Sequence, residues 1–352
     1  MKGMKQQIKM RVRNSRSTAL AVLAAALSLG SAAADAQDVA DFYANRSITI
    51  LVGAGPGGIT DTSARIIGGY LEELVPGGPS VIVQNMPGGG SVTMANHIYR
   101  SAARDGTVLG YSLPAVIVAQ LMEPRRARYD GRELTWIGSA ITATNVITVL
   151  DDAPATTVDE ALEAEIILGA TGRGSLLYQL PTMARELLGL NIRIITGYQG
   201  SAEISLAMER GEVHGQASGL DFWSLARPQW LENERLHHLI RIGPPDPRAP
   251  GTLHITDLLA TDRERALAGI LEIGPNMGWP LFAPPELPAD RVAALRAAFA
   301  AMLEIEAFEE AIMTSMRAPL TPKDGAELQS IVEESLETPE SVVAEAKELL
   351  GI

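Results

Sequence analysis

Four times in this chain an apolar, β-prone run empties into a glycine-rich turn and then into a segment of helical spacing. The turns are Gly55-Pro56-Gly57-Gly58, Pro87-Gly88-Gly89-Gly90-Ser91, Gly172-Arg173-Gly174-Ser175 and Tyr198-Gln199-Gly200-Ser201. Strand, loop and helix in repetition predict a parallel α/β sheet, whose strand-to-helix loops all emerge at the carboxyl edge. "SITILVG" (47–53) is the first strand, and Ala64, Ile67, Leu71 and Leu74 then recur on one helical face. "SVIVQN" (80–85) reads as a second, buried strand and "TVLGYS" as a third, with a stripe of Val92, Ala95, Ile98 and Tyr99 between them. "TWIGSAITATNVITVL" is one long β-prone run, and "EIILGATG", "IRIITGYQG", "EVHGQASG", "LHHLIRIG" and "GWPLFAPPELP" supply later strands. Pro181, inside a helical run, asks for a turn or kink. Val292, Leu295, Phe299 and Leu303 mark a late helix, and Thr338, Pro339 and Gly351 read as cap, first residue and stop of the last one. About ten strand candidates are more than one simple sheet prefers, so two lobes are expected. The boundaries are 37–142 with 276–352 for the first lobe and 143–275 for the second. Two glycine loops from each would then face one another across a cleft that closes by a hinge.

The first 36 residues carry a different signal. Six basic residues precede the 13-residue apolar run "TALAVLAAALSLG", which leads into "SAAADAQ". That order is the basic, apolar and small-residue layout of a secretory signal peptide, with a cleavage site near Ala36. The run is shorter than the roughly 20 residues that span a bilayer. The expectation is export to the periplasm. The chain has no cysteine, which excludes disulfides, thiolate metal ligands and cysteine nucleophiles. The whole chain carries −13. The leader holds six basic groups and one acid (Asp35), so residues 37–352 carry −18, which argues against nucleic acid as a partner.

Gly53-x-Gly55-x-x-Gly58 is the written form of the dinucleotide fingerprint, and a flavin- or nicotinamide-dependent oxidoreductase is the rival reading. Its context argues otherwise. The second strand ends Val83-Gln84-Asn85, without the acid that holds a ribose, and Asp61 lies where a pyrophosphate would meet the helix N-terminus. A singly charged carboxylate fits better, because backbone N–H groups at a helix start hold it without a basic side chain. No nucleophile elbow and no metal-ligand spacing among the five histidines is present, so neither catalysis, cofactor nor metal is expected.

"ILVGAGPGGITDTSARIIGGYL", "VIVQNMPGGGSVTMANHIYRSAARDGTVLGY", "ATGRGSLLYQLP", "MERGEVHG", "RPQWL" and "LPADRVAALRAAF" follow in an order and spacing that resemble the substrate receptors of tripartite tricarboxylate transporters, the TctC/Bug family of periplasmic binding proteins. The resemblance implies a type II periplasmic-binding-protein fold, capture of a small carboxylate, and delivery, as a monomer, to a two-component membrane permease. It also implies ligand residues. Gly57, Gly58, Thr60 and Asp61 would form the first loop, Asp61 partly through ordered water, and Gly88, Gly89, Gly90 and Ser91 the second. The other lobe would supply Thr171, Gly172, Gly174 and Ser175, then Tyr198, Gly200 and Ser201, with Asp221 near a later strand end. Arg173 is a candidate for a second carboxylate. Ser91, Ser175 and Ser201 also read as helix caps. Where relatives read G-x-V-D, this chain has Gly211-Glu212-Val213-His214, a departure that would bear on ligand choice if that position lines the pocket. Trp223 and Trp230 read as packing residues. An exported enzyme on the same scaffold is a third reading.

Overall fold

The computed structural model describes residues 37–352; the signal-peptide reading lies outside the described residues. The first lobe opens with α1, described over 37–43. There follow β1 (Ser47–Val52), α2 (Ile59–Leu74), β2 (Ser80–Asn85), α3 (Val92–Ser101), β3 (Val108–Tyr111), α4 (Val116–Met122) and β4 (Thr135–Ser139). The chain then crosses into β5 (Asn145–Leu150), α5 (Val158–Glu163), β6 (Ile166–Ala170), α6 (Leu176–Leu188), β7 (Ile192–Thr196), α7 (Ser201–Glu209) and β8 (Gly215–Gly219). Next come α8 (Leu220–Ala226), α9 (Pro228–Glu232), β9 (Leu236–Ile242), β10 (Leu253–His254), α10 (Ile255–Leu258) and α11 (Asp262–Met277). It returns through β11 (Leu281–Ala283), α12 (Ala289–Leu303), α13 (Glu306–Met316), β12 (Lys323–Asp324), α14 (Gly325–Leu336) and α15 (Glu340–Leu350).

The sheets run β12-β4-β11-β3-β1-β2 and β10-β9-β5-β8-β6-β7. Without the two-residue edge strands β12 and β10, both have one plan. Three parallel strands are ordered second, first, third, then comes one reversed strand, then a fourth. The reversed strands are β11, antiparallel to β3 and β4, and β5, antiparallel to β8 and β9. Each is the strand that arrives from the other lobe. It enters at the carboxyl edge of its sheet and so must run against its neighbours. Both sheets are covered on both faces, as parallel sheets require: Ile48, Ile50 and Val52 pack on one side of the first and Leu51 on the other.

The crossings are bonded to each other. Ala143 N–H donates to Pro275 O at 3.0 Å, and Trp279 N–H to Ile141 O at 3.3 Å. Thr321, on the way to β12, joins them: its hydroxyl accepts from Thr142 N–H at 2.8 Å, and its N–H donates to Ala140 O at 3.1 Å. Gly278 sits in this belt at φ +61, and a methyl there would fall 1.9 Å from Ile141 O.

Several expectations need correction. β2 is an edge strand of alternating exposed and half-buried residues, because it pairs only with β1. The single β-prone run from Thr135 to Leu150 is two strands in different sheets, divided at 140–144. Pro181 lies buried within α6. The last helix starts one residue late, since Pro339 is still extended (ψ 141) and holds the cap position that Thr338 was expected to fill. That helix, assigned by sequence to the first lobe, places Val343, Ala346 and Leu350 in the second lobe's core beside Leu267, Ile270 and Leu271 of α11.

The Gly278→Ala substitution puts a β-carbon into the belt at a left-handed φ, and should cost about 1–3 kcal/mol from the backbone alone, with the clash against Ile141 O adding to it. A variant that melts at the wild-type temperature would contradict this account of the joint.

Candidate functional site

β4 ends at Ser139 and β5 begins at Asn145, which pairs with Gly219 at the end of β8 and Ile242 at the end of β9. The short crossing therefore ties the carboxyl edge of one sheet to that of the other. The loops after β1, β2 and β3 and those after β6, β7 and β8 all open along these facing edges. Gly57 to Asp61 and Gly88 to Ser91 lie on the first edge. Thr171 to Ser175, Tyr198, Gly200, Ser201 and Asp221 lie on the second.

The loop after β1 is organised around Asp61, which is 4% exposed. Its carboxylate accepts from Gly57 N–H (2.9 Å), from Arg65 Nη2 and Nε (2.9 and 3.1 Å) and from Asn85 Nδ2 (2.9 Å). The same Asn85 amide donates to Ala54 O. The Arg65 hydrogen bond is the main reason this carboxyl is held down at about 2, with the Gly57 and Asn85 bonds adding to it and burial opposing. With its acceptors occupied, Asp61 shapes the loop, a positioning part rather than the water-mediated contact expected. Helix α2 makes its first backbone bond from Thr62 N–H to Gly58 O. The N–H groups of Gly58, Ile59, Thr60 and Asp61 therefore have no partner within the helix, and they carry its positive end.

This arrangement explains the glycine pattern without a nucleotide. A methyl on Gly53 would lie 2.3 Å from Ser91 Oγ, whereas Gly55 and Gly58 have nothing within 4 Å. The first glycine thus serves a serine of the next loop. The N–H at Gly57 that a phosphate would want is bonded to the chain's own carboxylate, and Asn85 stands where the ribose-binding acid would be.

Ser91 is fully buried; its Oγ donates to Gly53 O (3.1 Å) and accepts from Leu113 N–H (2.9 Å). It staples three loops together, so its hydroxyl is neither a helix cap nor a donor to the cleft. Gly88, Gly89 and Gly90 remain exposed, all with positive φ. Thr60 Oγ1 accepts from the indole N–H of Trp279 at 3.1 Å and keeps its own proton to donate. Trp279, half-buried on the return crossing, thus holds the Thr60 side chain, a partnership the sequence reading missed.

In the second lobe, Ser175 Oγ donates back to Gly172 O at 2.7 Å and closes its own loop instead of capping α6. Ser201 makes no side-chain cap either, since Gly200 holds that position. Arg173 Nη1 donates to Gly351 O at 3.3 Å, at the end of α15. That contact links the loop after β6 to the end of α15. The Tyr198 ring lies half-buried against β6, where a methyl on Gly169 would come within 3.3 Å of it. Asp221 folds back over Gly219, where a methyl would be 2.1 Å from Oδ1. Burial pushes its carboxyl up, opposed by backbone N–H groups and by Arg248. Trp223 and Trp230 pack in the core with ring centroids 6.0 Å apart.

His214 does not reach the cleft. It precedes β8, at the opposite edge from Gly219, where its Nδ1 accepts from Ile167 N–H at 2.9 Å while its own N–H donates to Ile167 O at 2.7 Å. Burial lowers its pKa, which favours the neutral ring that this acceptor role needs. The departure from G-x-V-D is thus a strand-edge exchange of one acceptor for another.

No family model matches the chain. It is 31% identical over 183 residues to a UPF0065 protein of Bordetella pertussis, covering 49% of this chain and 54% of that one. It is 29% identical over 181 residues to protein BugT of the same organism, covering 49% and 55%. The chain thus spans about half the length of the curated relatives it matches. Among solved structures it resembles a TctC solute-binding protein from Polaromonas (TM-score 0.68, 19% identity, 88% of this chain and 99% of that one). It also resembles an R. palustris protein with adipate (TM-score 0.59, 21% identity, 88% and 98%) and MatC from Rhodopseudomonas palustris with bound malate (TM-score 0.57, 21% identity, 85% and 99%). The fold is that of these two-lobed binding proteins, and the names found are those of the TctC/Bug proteins that the motifs resemble.

A depressed carboxyl adds stability that is complete above its ordinary value of 3.8 and lost as pH falls through about 2. In the Asp61→Asn variant that component should vanish. Its thermal midpoint should lie below wild type at pH 5, and the gap should close as pH falls from 4 towards 2. A gap that stays constant with pH would contradict the role given to the carboxylate.

Proposed function

We propose that this chain, TctC/Bug-type in sequence and in fold, is a non-catalytic solute receptor that captures a small carboxylate between its lobes. In this reading it works in the periplasm as a monomer after losing its leader, and hands the acid to a two-component membrane permease. The observation that carries the proposal is the convergence of strand-to-helix loops from both lobes on one pair of facing edges. Each of α2 and α7 brings unpartnered N–H groups and the positive end of a helix, and neither brings an unpaired cation. Such donors suit a singly charged oxygen pair. The adipate and malate of the fold neighbours support the same ligand class.

Gly57, Gly58 and Thr60 with Gly88 to Gly90 would hold the acid from one side. Thr171, Gly172, Gly174, Tyr198, Gly200 and Ser201 would hold it from the other, with Trp279 as an apolar wall and Asp221 at the rim. Bound acid meets local donors more strongly than the −18 of the surface, whose field is screened beyond about 8 Å at physiological salt. A protonated Asp221 would add a donor, and an ionised one would turn away a ligand with an acid at that end.

A thermal-shift screen of adipate, malate, citrate, aspartate and benzoate against NAD and FAD tests the reading. A ligand at 100 times its dissociation constant should add about 2.7 kcal/mol. Gly58→Val should melt like wild type, since a β-carbon there meets nothing within 4 Å, yet lose the shift. Stabilisation by a dinucleotide alone, or a full acid shift in Gly58→Val, would refute the assignment.

A further inference from the structure

We propose that an arginine trough on the first lobe, outside the cleft, is a docking surface for an acidic segment of a partner protein. Arg100, at the end of α3, and Arg125, Arg126 and Arg128, after α4, line an open groove of about 380 Å³ with Thr93 and Asn96. A second groove of about 420 Å³ shares Arg125 and Arg126 and ends at Lys347 of α15. The two together hold five cations and one acid, Glu123, which is paired with Arg126. Among the described residues no carboxylate lies within ion-pair distance of Arg100, Arg125 or Arg128. On a chain whose residues 37–352 carry −18, this is a local inversion of sign.

The arginines are presented by a fixed backbone. Asn96 Nδ2 donates to Arg126 O (3.0 Å) and Asn96 Oδ1 accepts from Arg128 N–H (2.6 Å), clamping both sides of Ala127. Arg126 N–H and Ala127 N–H both donate to Glu123 O. Ala127 and Tyr129 point inward and are buried, and the Tyr129 hydroxyl donates to Val116 O. The intervening Arg126 and Arg128 point outward and are exposed. The backbone from which Arg126 and Arg128 project is thus ordered before contact, so binding has only the side chains left to order.

The shape of the surface selects the partner. The guanidinium groups stand exposed around open grooves, so a small anion would be gripped on one side only. Several carboxylates on one extended segment can each take an arginine fork. A broad anionic sheet, such as a lipid surface or nucleic acid, would instead meet the acidic remainder of the molecule. The trough also touches the cleft machinery at one point, since a methyl on Gly89 would sit 2.9 Å from Arg126 Nη2.

The test uses residues 37–352 and a fluorescein-labelled octa-aspartate peptide read by anisotropy. Binding should be measurable at low salt and fall steeply towards physiological salt. Arg125→Glu with Arg128→Glu should weaken it about tenfold or more, while Arg185→Glu with Arg263→Glu, the same charge change elsewhere, should leave it within about twofold. Both pairs should keep the wild-type melting temperature. The proposal fails if the peptide does not bind, if the two variant pairs weaken it equally, if inorganic phosphate displaces it at equal charge concentration, or if phosphatidylglycerol vesicles compete as well as free peptide. Arg125 and Arg128 are not among the residues assigned to the cleft, so the difference between the two variant pairs stands whether or not the carboxylate screen succeeds.

Discussion

Between Ser139 and Asn145 the chain passes from one parallel sheet to the other, and the return through Gly278 and Trp279 is hydrogen-bonded to that passage. Because the traffic enters each sheet at its carboxyl edge, one strand per sheet must run backwards. For the same reason, both sets of strand-to-helix loops open towards the joint. The site's location is thus a consequence of topology, and the belt at 140–143, 275–279 and Thr321 is the part on which it depends. The close fit of Gly278 against Ile141 O leaves little slack there, which suits a hinge that turns about a few residues while the lobes stay rigid.

Within that frame, the loops are built from the chain's own acids. Asp61 draws in Gly57 N–H and two side chains, and Glu203 at the same place in α7 accepts from Gln199 N–H at 2.6 Å. Glu160 and Glu264 repeat the device at α5 and α11. An acid in the first turn binds the N–H just outside the helix, and at α2 and α7, which have no side-chain cap, the N–H groups at the helix start stay free. The negative charge that seemed to argue against an anion site is neutralised by Arg65, and the donors that remain are fixed in direction. Preorganised donors of this kind cost little to align when a ligand arrives.

Much of this was legible in the residues. β-branched runs ending in glycines gave the strands and their loops, because few other compositions tolerate that change of direction. The Asp61–Arg65 pair is a spacing of four on one helix and could have been read directly. Asn85 could not, because its partnership with Asp61 depends on β2 lying beside β1. Ser91 looked like a donor because it follows glycines, but its left-handed backbone turns the hydroxyl inward to Gly53 O and Leu113 N–H, and only the fold shows that. α11 went unread because its second half is buried all round, so no polar face reveals a period, and Gly269, Gly274 and Pro275 look like breakers. The division at 140–144 was hidden because Thr and Ile continue through it. Trp279 was seen only as part of a strand, its bond to Thr60 spanning the whole second lobe.

The central claim is that two opposed edges close on an acid about the belt. The chain has no cysteine, so spin labels can be placed singly. Gln84→Cys and Thr196→Cys put one label on the outermost parallel strand of each sheet, both at exposed positions. Pulsed electron resonance should give a broad distance distribution in the free protein, and a shorter, narrower one when a carboxylate that calorimetry shows to bind is present at saturation. An unchanged distribution with that acid bound would contradict closure, and with it the assignment of the facing loops as the ligand's grip.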